Sequence, residues 1–321
     1  MRSTRVLYLR AVGLRLLAGV PVFVLVTFAA TALSDLMPGS AAQTILGDSA
    51  TPQQIATLNA QYGYDQPLLV RYVGWLGRLL RGDLGQTLYS QQSVFGLLLE
   101  RAAVTFEIAL LAMLVALAIA IPLAMLSALA PGGPLDQLVR GVSSVMLSVP
   151  IFVTVVVLGF IFALVLRWLP ATGWIALTSD PLGNLRQVAL PVMCISVSQA
   201  AYFYRVTRNE IVATLQEDFV LLARAKGIPT AYILLRHVLR PSLTPVLAVF
   251  GLSMTYLLGG SFIVESYFAV PGIGWTLLSA VKIHDLPTVQ GILSVVVVVY
   301  VLVFMLVDIG YSVIDPRIEI A

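Results

Sequence analysis

The chain has few charged residues, one cysteine and two histidines. Charged residues make up only 11% of its 321 residues, against about 25% in soluble domains, while 59% are hydrophobic. This balance excludes an ordinary soluble protein and predicts an integral membrane protein whose exterior faces lipid. A lone cysteine can form neither an internal disulfide nor a metal cluster, so we expect Cys194, which lies in an apolar stretch, to pack in the core.

Motifs of soluble enzymes are also missing. The sequence contains no GxGxxG run, no GxxxxGK[ST] phosphate loop, no HExxH and no GxSxG. We therefore expect no catalytic, cofactor-binding or metal-binding residues in this chain, and no enzymatic activity of its own. The net charge of +3 does not indicate nucleic-acid binding, because the basic residues lie between apolar runs and form no patch with interleaved aromatics.

Long apolar runs are what the sequence does contain. A helix crosses a bilayer with about 20 mainly apolar residues. Six stretches meet this requirement, and they predict an all-α membrane protein with six transmembrane helices. The first stretch is longer than the core of a signal peptide and lacks a clear cleavage site, so we interpret it as a retained helix. The six stretches are 14–34, 104–130, 141–166, 187–206, 241–263 and 288–310.

The basic residues predict the orientation, because cytoplasmic loops carry an excess of Lys and Arg. If the N-terminus is inside, the two short outer loops carry only Arg167, Arg186 and Lys282. We therefore expect a multi-pass protein of the inner membrane, with both termini in the cytoplasm. The segment 35–101 is too long for the rule to apply strongly. The inner segments would carry Arg2, Arg5, Arg10, Arg15, Arg140, Arg205, Arg208, Arg224, Lys226, Arg236, Arg240 and Arg317.

Prolines occur inside four of the predicted spans, at Pro122, Pro150, Pro191 and Pro245. Each removes a backbone donor and can kink a helix, which would shape a pathway through the membrane. Simple packing explains them as well, because proline is common in membrane helices.

A short charged helix is predicted in the inner loop between the fourth and fifth spans. TLQE at 214–217 fits a capping box, with Thr214 as the N-cap and Glu217 reaching back. Gly227 followed by Pro229 is a stop signal. The pattern predicts a helix over 215–226, about 18 Å long, which is too short and too charged to span a membrane.

This helix carries an apolar stripe, which we expect to contact either lipid or another protein. Phe219, Leu222, Ala223 and Lys226 recur at helical spacing, with Leu215 one turn earlier. The helix could simply lie on lipid headgroups. The small residues Ala223, Ala225 and Gly227 favour a protein partner instead, because they allow close approach.

The outer segment 35–101 contains two further patterns. TPQQIATLNAQYGYDQP predicts a short capped helix followed by a turn. YVGWLGRLLRG places Tyr72, Trp75, Leu76, Leu79 and Leu80 near one face, as in a helix lying flat at the membrane interface. We expect this segment to cover a channel mouth and to meet a partner protein, although contact with lipid alone is an alternative. Glu265, in the predicted outer loop before PGIG, is a possible channel-mouth residue.

Several segments resemble the permease subunits of ABC importers of the peptide and nickel branch, the DppB/OppB type. FVLLARAKGIPTAYILLRHVLRPSLTPV resembles their cytoplasmic EAA loop, although Leu221, Leu222 and Ala223 stand where Glu-Ala-Ala would be. Ser40 also replaces an acidic residue after PG. The resemblance covers nearly the whole chain in the family's order. Its other segments are LMPGSAAQTILG, YGYDQPLLVRYVGWLGRLLRGDLGQTL, VPGIGWTLLSAV, HDLPTVQG and VDIGYSVIDPRI.

The resemblance implies a type I ABC importer permease fold in which this chain forms half of a translocation pathway for di- or oligopeptides. It implies a first span with an N-terminal tail (1–34), an extracytoplasmic subdomain (35–103) and a five-helix core (104–321) with a coupling loop at 207–240. The coupling helix would insert into an ATPase subunit. Its expected coupling residues are Glu217, Asp218, Phe219, Leu222, Ala223, Arg224, Ala225, Lys226 and Gly227.

The implied partners are a second homologous permease, two ATP-binding subunits, an extracytoplasmic substrate-binding lipoprotein and membrane lipid. ATP and Mg would be bound by the partner subunits and not by this chain. Nickel complexes, glutathione or another small solute are alternative substrates. An ion-coupled carrier is a different possibility, although no internal repeat is evident. A membrane signalling scaffold is a further alternative; such a protein would use the same short helix for signalling rather than for transport.

Overall fold

The structure is a computed structural model, and it describes residue 17 and residues 19–33, 41–47 and 50–314. These residues form helices joined by turns, and one isolated antiparallel bridge joins Gln86 and Ser93. The predicted N-terminal tail, with Arg2, Arg5, Arg10 and Arg15, lies outside the described residues, as do Ser40 and Arg317.

Each of the six stretches predicted as spans is helical over most of its described residues. Helix α1 is Gly19–Leu33 and α5 is Val94–Leu129. The remaining ones are α6 Pro134–Ser148, α7 Ile151–Gly159 with a π-helical continuation Phe160–Val165, α8 Pro181–Thr214, α11 Leu239–Gly260 and α14 Leu286–Ile314. Between them lie α2 Ala41–Leu46, α3 Pro52–Tyr62, α4 Leu68–Leu79, α9 Asp218–Ala225, α10 Thr230–Tyr232 with a second π segment Ile233–Val238, α12 Phe262–Tyr267 and α13 Ile273–Lys282.

By length and composition, three helical stretches of the described chain can cross a membrane: Val94–Leu129, Thr230–Gly260 and Leu286–Val303. The predicted span 141–166 is not one straight helix. It corresponds to α6 and α7, which meet at an angle of 101° and count as a fourth crossing if taken together. Pro150 explains the break, since it has no backbone donor and holds Val149 in extended conformation.

The chain divides into two compact units. Among the described residues, the first unit comprises Phe106–Val270 and residues 302–314, and the second comprises the residues before 106 and Pro271–Val301. Because both α5 and α14 run from one unit into the other, the division does not follow the order of the elements along the sequence.

The first unit is built around α8, which contacts α6, α7, α11 and α12. Its buried side chains include Phe203, Tyr204 and Ile211. Cys194 on the same helix is fully buried, which confirms the packing role predicted from its apolar surroundings.

The second unit joins segments that are distant in sequence. Leu84, Val94, Leu98, Ile273 and Ile292 form one buried apolar cluster. A Cβ on Gly291 would lie 2.5 Å from Val94 Cγ1, so only glycine allows α14 to approach α5 this closely. The PGIG and TVQG segments therefore serve the internal packing of this unit.

Asp285 caps the start of α14. Its carboxylate accepts hydrogen bonds from the Thr288 amide, the Thr288 hydroxyl and the Leu88 amide, at 3.2, 2.8 and 3.2 Å. Burial raises the pKa of the Asp285 carboxyl, and these hydrogen bonds oppose that rise. The Asp285 carboxylate thus links the loop that contains Leu88 to the first turn of α14.

The capped helix predicted in the outer segment is confirmed. Thr51 caps α3, and a reciprocal capping box with Gln54 is present. Gly63 ends the helix in a left-handed conformation with φ of 71°. The start and the end of α3 depend only on residues a few positions apart, which is why the sequence was sufficient to predict this helix.

Helix α4 differs from its prediction. Its aromatic face does not lie on a membrane surface, because Tyr72 and Trp75 are buried against α1. Tyr72 Oη lies 2.9 Å from Thr27 Oγ1, and the Trp75 ring stacks on Phe23 with centroids 6.5 Å apart. The outward side of α4 carries Leu69, Val70 and Val73 instead, and Leu80, just past its end, is also exposed.

Candidate functional site

The predicted inner-loop helix exists but is shorter than expected. Helix α9 covers Asp218–Ala225, eight residues, rather than 215–226. The predicted capping box is wrong, because Thr214 is the last residue of α8 and Glu217 is the N-cap of α9 without a side-chain capping bond. Helix α8 extends past the predicted end of the fourth span at 206 and includes Thr214, the residue that resembled a cap.

The predicted stop signal is confirmed. Gly227 has φ of +73°, the left-handed conformation that favours glycine. Its amide donates to the Arg224 carbonyl at 2.9 Å, and the Ile228 amide donates to the Ala223 carbonyl at 3.2 Å. This pair of bonds is a Schellman motif, which satisfies the last carbonyls of α9 and turns the chain sharply.

One side of α9 packs inside the protein. Val220 is completely buried and Ala223 nearly so. The helix contacts the π segment Ile233–Val238, in which Ile233, Leu234 and Val238 are also buried. This interface holds α9 on the start of the helix that continues as α11.

The predicted apolar stripe is therefore split between two faces. Ala223 faces the protein, whereas Phe219 is 47% exposed and Leu222 is 57% exposed. Leu221, which was not part of the stripe, is 54% exposed. The other predicted coupling residues, Glu217, Asp218, Arg224, Ala225, Lys226 and Gly227, are all exposed.

The outward side of α9 thus presents apolar side chains with acidic residues at its start and basic residues at its end. The charges match the helix dipole, since Asp218 lies in the first turn and Arg224 in the last. Such a surface can dock in an apolar groove whose rim is polar.

The base of α9 is tied to two long helices. Thr214 Oγ1, at the end of α8, lies 3.2 Å from Ser242 Oγ, near the start of α11. Ser242 Oγ also donates to the Val238 carbonyl at 2.8 Å. The two ends that flank the 215–238 loop are consequently held together.

A buried ion pair lies one to two turns farther back along α8. Arg208 Nε and Nη2 donate to the two carboxylate oxygens of Asp136 at 2.9 and 2.7 Å. The Asp136 side chain is fully buried, and the Gly132 amide donates to it at 2.8 Å. Tyr204 Oη, 3.1 Å from Ser127 Oγ, completes the surroundings. The pair fastens α6 to α8.

Sequence reasoning missed this pair. Arg208 was counted only as a topological marker, and Asp136 received no role. The signal that could have found it is Asp136 itself, the single acidic residue of the PGGPLDQLVR segment between two apolar stretches, since a carboxylate that becomes buried requires a cation.

The placement predicted for Glu265 is wrong. The residue lies in helix α12 and not in an exposed loop, and it is 1% exposed. Its Oε1 accepts a hydrogen bond from the Ser261 hydroxyl at 2.6 Å. In this structure the Glu265 carboxylate is therefore buried and hydrogen-bonded, and its place at a channel mouth stays a prediction.

Comparison with known families matches both parts of the chain. Residues 120–320 match the family described as binding-protein-dependent transport system inner membrane component. Residues 8–109 match the N-terminal model of the binding-protein-dependent transport system membrane components.

Curated relatives span almost the entire chain. A probable peptide ABC transporter permease protein of Sinorhizobium fredii is 34% identical over 305 residues, which cover 95% of this chain and 97% of the relative. The dipeptide transport system permease protein DppB of Alkalihalophilus pseudofirmus is 32% identical over 325 residues, which cover 95% and 98%. The family resemblance found in the sequence is confirmed: the chain belongs to the inner-membrane permease components of binding-protein-dependent ABC transport systems.

Proposed function

We propose that this chain forms half of the translocation pathway of a peptide importer and takes its conformational energy from ATPase subunits that grip α9. The names of its relatives, which include peptide and dipeptide permeases, support peptides as the substrate class. A second permease chain would complete the pathway, and a substrate-binding lipoprotein would deliver the peptide. ATP and Mg would be bound by the partner subunits.

The observation that carries this proposal is the outward surface of α9. Phe219, Leu221 and Leu222 are each about half exposed on a helix that is itself firmly seated through Val220 and Ala223. Exposed apolar side chains on a fixed scaffold are typical of protein interaction sites. Lipid headgroups are a weaker explanation, because Glu217 and Asp218 at the start of the helix would be repelled by anionic lipid.

The proposed topology has six transmembrane helices with both termini in the cytoplasm. The distribution of Lys and Arg supports it, since α9 and its flanking loops carry many of the basic residues. Helix α8, with 34 residues, is about 51 Å long, which exceeds the hydrocarbon thickness and leaves its last turns in water. These turns carry Arg205 and Arg208 and lead into α9.

Movement of α9 would be transmitted through the contacts at its base. The Thr214–Ser242 bond links α8 to α11, and the Arg208–Asp136 pair links α8 to α6. An ATPase dimer that closes would displace α9 and carry these three helices with it. The partner can bias the permease only if its contacts with α9 differ in free energy between the inward-open and outward-open states.

Cysteine cross-linking tests the proposal directly. Native Cys194 is buried, so the background reaction is low. We expect Leu222→Cys to cross-link to an ATPase subunit of the purified complex. Leu182→Cys is the control, because Leu182 is 81% exposed at the opposite end of α8. Equal cross-linking of both positions, or none at Leu222, would contradict the proposal.

Reconstitution tests the substrate and the energy source. Proteoliposomes containing the complex and its receptor should take up a dipeptide in a vanadate-sensitive manner. Uptake driven by an ion gradient without ATP would indicate a carrier instead. Vanadate-sensitive uptake of a nickel complex or glutathione, but not of peptides, would keep the mechanism and change the substrate.

A further inference from the structure

A cavity of about 470 Å³ opens between α6 and α8, within the first unit. Its volume is in the range of small-ligand sites, about 300–1,000 Å³. No Asp or Glu is among the described residues that line it. The lining residues that decide its chemistry are Gln137, Arg140 and Gly141 from α6, and Arg205, Arg208 and Asn209 from α8.

The cavity carries an excess of positive charge. The nearest carboxylate on α6 is that of Asp136, which lies one turn before Arg140 and is already bonded through both of its oxygens to Arg208. One carboxylate thus stands against three guanidinium groups, which leaves two positive charges in excess. The side chains of Arg140 and Arg205 are exposed, so a ligand that enters the cavity can reach them.

The hydrogen-bonding groups of the cavity also favour an anion. A guanidinium group donates and cannot accept, and its planar fork matches the oxygens of a phosphate or a carboxylate. The amide of Gln137 is already committed, because its Nε2 donates to the Gly132 carbonyl at 2.8 Å. The free capacity of the cavity therefore lies mainly in Arg140 and Arg205, which face each other from two helices.

The cavity lies at the level of lipid headgroups. On α6, Arg140 is followed by the uncharged stretch 141–166, and on α8, Arg205 is preceded by the uncharged stretch 187–204. Because a membrane crossing takes about 20 such residues, both helices leave the hydrocarbon at this cavity. In the topology proposed above this is the cytoplasmic leaflet, where basic pockets between transmembrane helices bind anionic headgroups.

An exposed apolar row on α6 identifies the source of the anion. Leu138, Val142 and Val145 are 64%, 51% and 56% exposed. Leu138 and Val145 lie three and four residues from Gly141, so they adjoin the cavity lining on the surface of the helix. An acyl chain would cover this row, whereas a peptide carboxylate in a water-filled pathway would leave it in water.

We propose that this cavity binds the headgroup of an anionic phospholipid. The phosphate accepts hydrogen bonds from Arg140 on α6 and Arg205 on α8, and an acyl chain lies along Leu138 and Val145. The headgroup then bridges the two helices that the Asp136–Arg208 pair also joins. A lipid without net charge fits less well, because it does not balance the two excess positive charges.

The test is lipid retention by the purified complex. Complexes are equilibrated in nanodiscs of equal parts phosphatidylglycerol and phosphatidylcholine, extracted in detergent and examined by native mass spectrometry. The unmodified protein should retain phosphatidylglycerol in preference to phosphatidylcholine. We expect Arg140→Gln and Arg205→Gln each to lower the retained phosphatidylglycerol about tenfold, because each removes a hydrogen bond to a charged group. Arg186→Gln is the matched control, since Arg186 is exposed at the other end of α8 and does not line the cavity.

Two competitors identify the source of the anion. Sodium phosphate or a dipeptide, added before extraction, should fail to displace the phosphatidylglycerol. Displacement by the dipeptide would overturn the proposal in favour of a carboxylate site, and displacement by phosphate would overturn the lipid source. Equal retention in Arg205→Gln and Arg186→Gln would refute the site. If Arg140→Gln fails to assemble, Arg205→Gln decides alone. None of these measurements depends on transport, so the importer proposal and this one can fail separately.

Discussion

Helices α4 and α9 have similar sequence patterns but different surroundings. Both are short and amphipathic, both carry basic residues, and both were expected to press an apolar stripe on something outside the chain. In the structure α4 buries its aromatic face against α1, through Tyr72 and Trp75. Helix α9 buries only Val220 and Ala223 and leaves Phe219, Leu221 and Leu222 exposed.

The difference shows that amphipathicity identifies a contact face but not its partner. Aromatic rings on α4 find a partner within the chain because α1 supplies Phe23 and Phe28 at stacking distance. No described element of this chain covers the outward leucines of α9. The partner that we propose would therefore meet α9, whereas the aromatic face of α4 already has its contacts within the chain.

The largest expected effect concerns the anchor beneath α9. Replacing Arg208 by Ala leaves the Asp136 carboxylate buried without its cation, which should lower the free energy of unfolding by about 3–5 kcal/mol. Thermal unfolding of the purified protein in detergent measures the change. Arg186→Ala is the control, since Arg186 is exposed on the same helix. If both variants melt at the same temperature, the pair is not an anchor.

A second pair of variants separates the two helices directly. Tyr72→Ala removes a buried ring and its bond to Thr27, and should cost about 3 kcal/mol of stability. Leu222→Ala removes an exposed side chain and should change stability by less than about 0.5 kcal/mol. It should nevertheless weaken binding of the ATPase subunit about tenfold, as truncation of an interface anchor does.

Thermal unfolding and co-purification with the ATPase subunit measure the two properties independently. A Leu222→Ala protein that melts early, or that binds the ATPase normally, would show that α9 resembles α4 more than its exposure indicates.

The smallest effect tests the turn that ends α9. Gly227 has φ of +73°, and nothing lies within 4 Å of a Cβ placed there, so a substitution is strained by the backbone alone. Gly227→Val should destabilise the turn by about 1–2 kcal/mol and reduce uptake while the protein stays in the membrane. Gly227→Asn should be tolerated better, because Asn adopts this conformation more readily. Normal uptake by Gly227→Val would remove the turn from the coupling mechanism.

Local signals made parts of the fold predictable from sequence. The start of α3, the turn that follows it and the stop signal at Gly227 depend on residues a few positions apart, and all three were predicted correctly. The capping box at Thr214 had the same local form but failed, because α8 continues to Thr214 and makes that residue its last. A cap signal decides a helix start only where no longer helix competes for the same residues.

The short helix of the candidate site was predictable from the sequence, but the direction in which its faces point was not. The basic residues Arg224 and Lys226, followed by Gly227, correctly predicted a short helix between α8 and α11. Which of its apolar side chains become buried depends on the side of the helix that packs against Ile233 and Leu234, and the sequence does not show that. Glu265 was placed in a loop and Asp136 was overlooked for a related reason. Whether a carboxylate is buried depends on residues that approach it from other helices, and those are not visible along the sequence.

The sequence by itself determined that the chain belongs in a membrane, that it is helical, which family it belongs to, and that a short helix lies between α8 and α11. Hydropathy and local turn chemistry act over a few residues, so the sequence shows them directly. Tertiary structure alone decided which face of α9 stays exposed, that Asp136 pairs with Arg208, and that Gly291 lies against Val94. Each of these depends on close packing between residues distant in the chain, and close packing is decided in three dimensions.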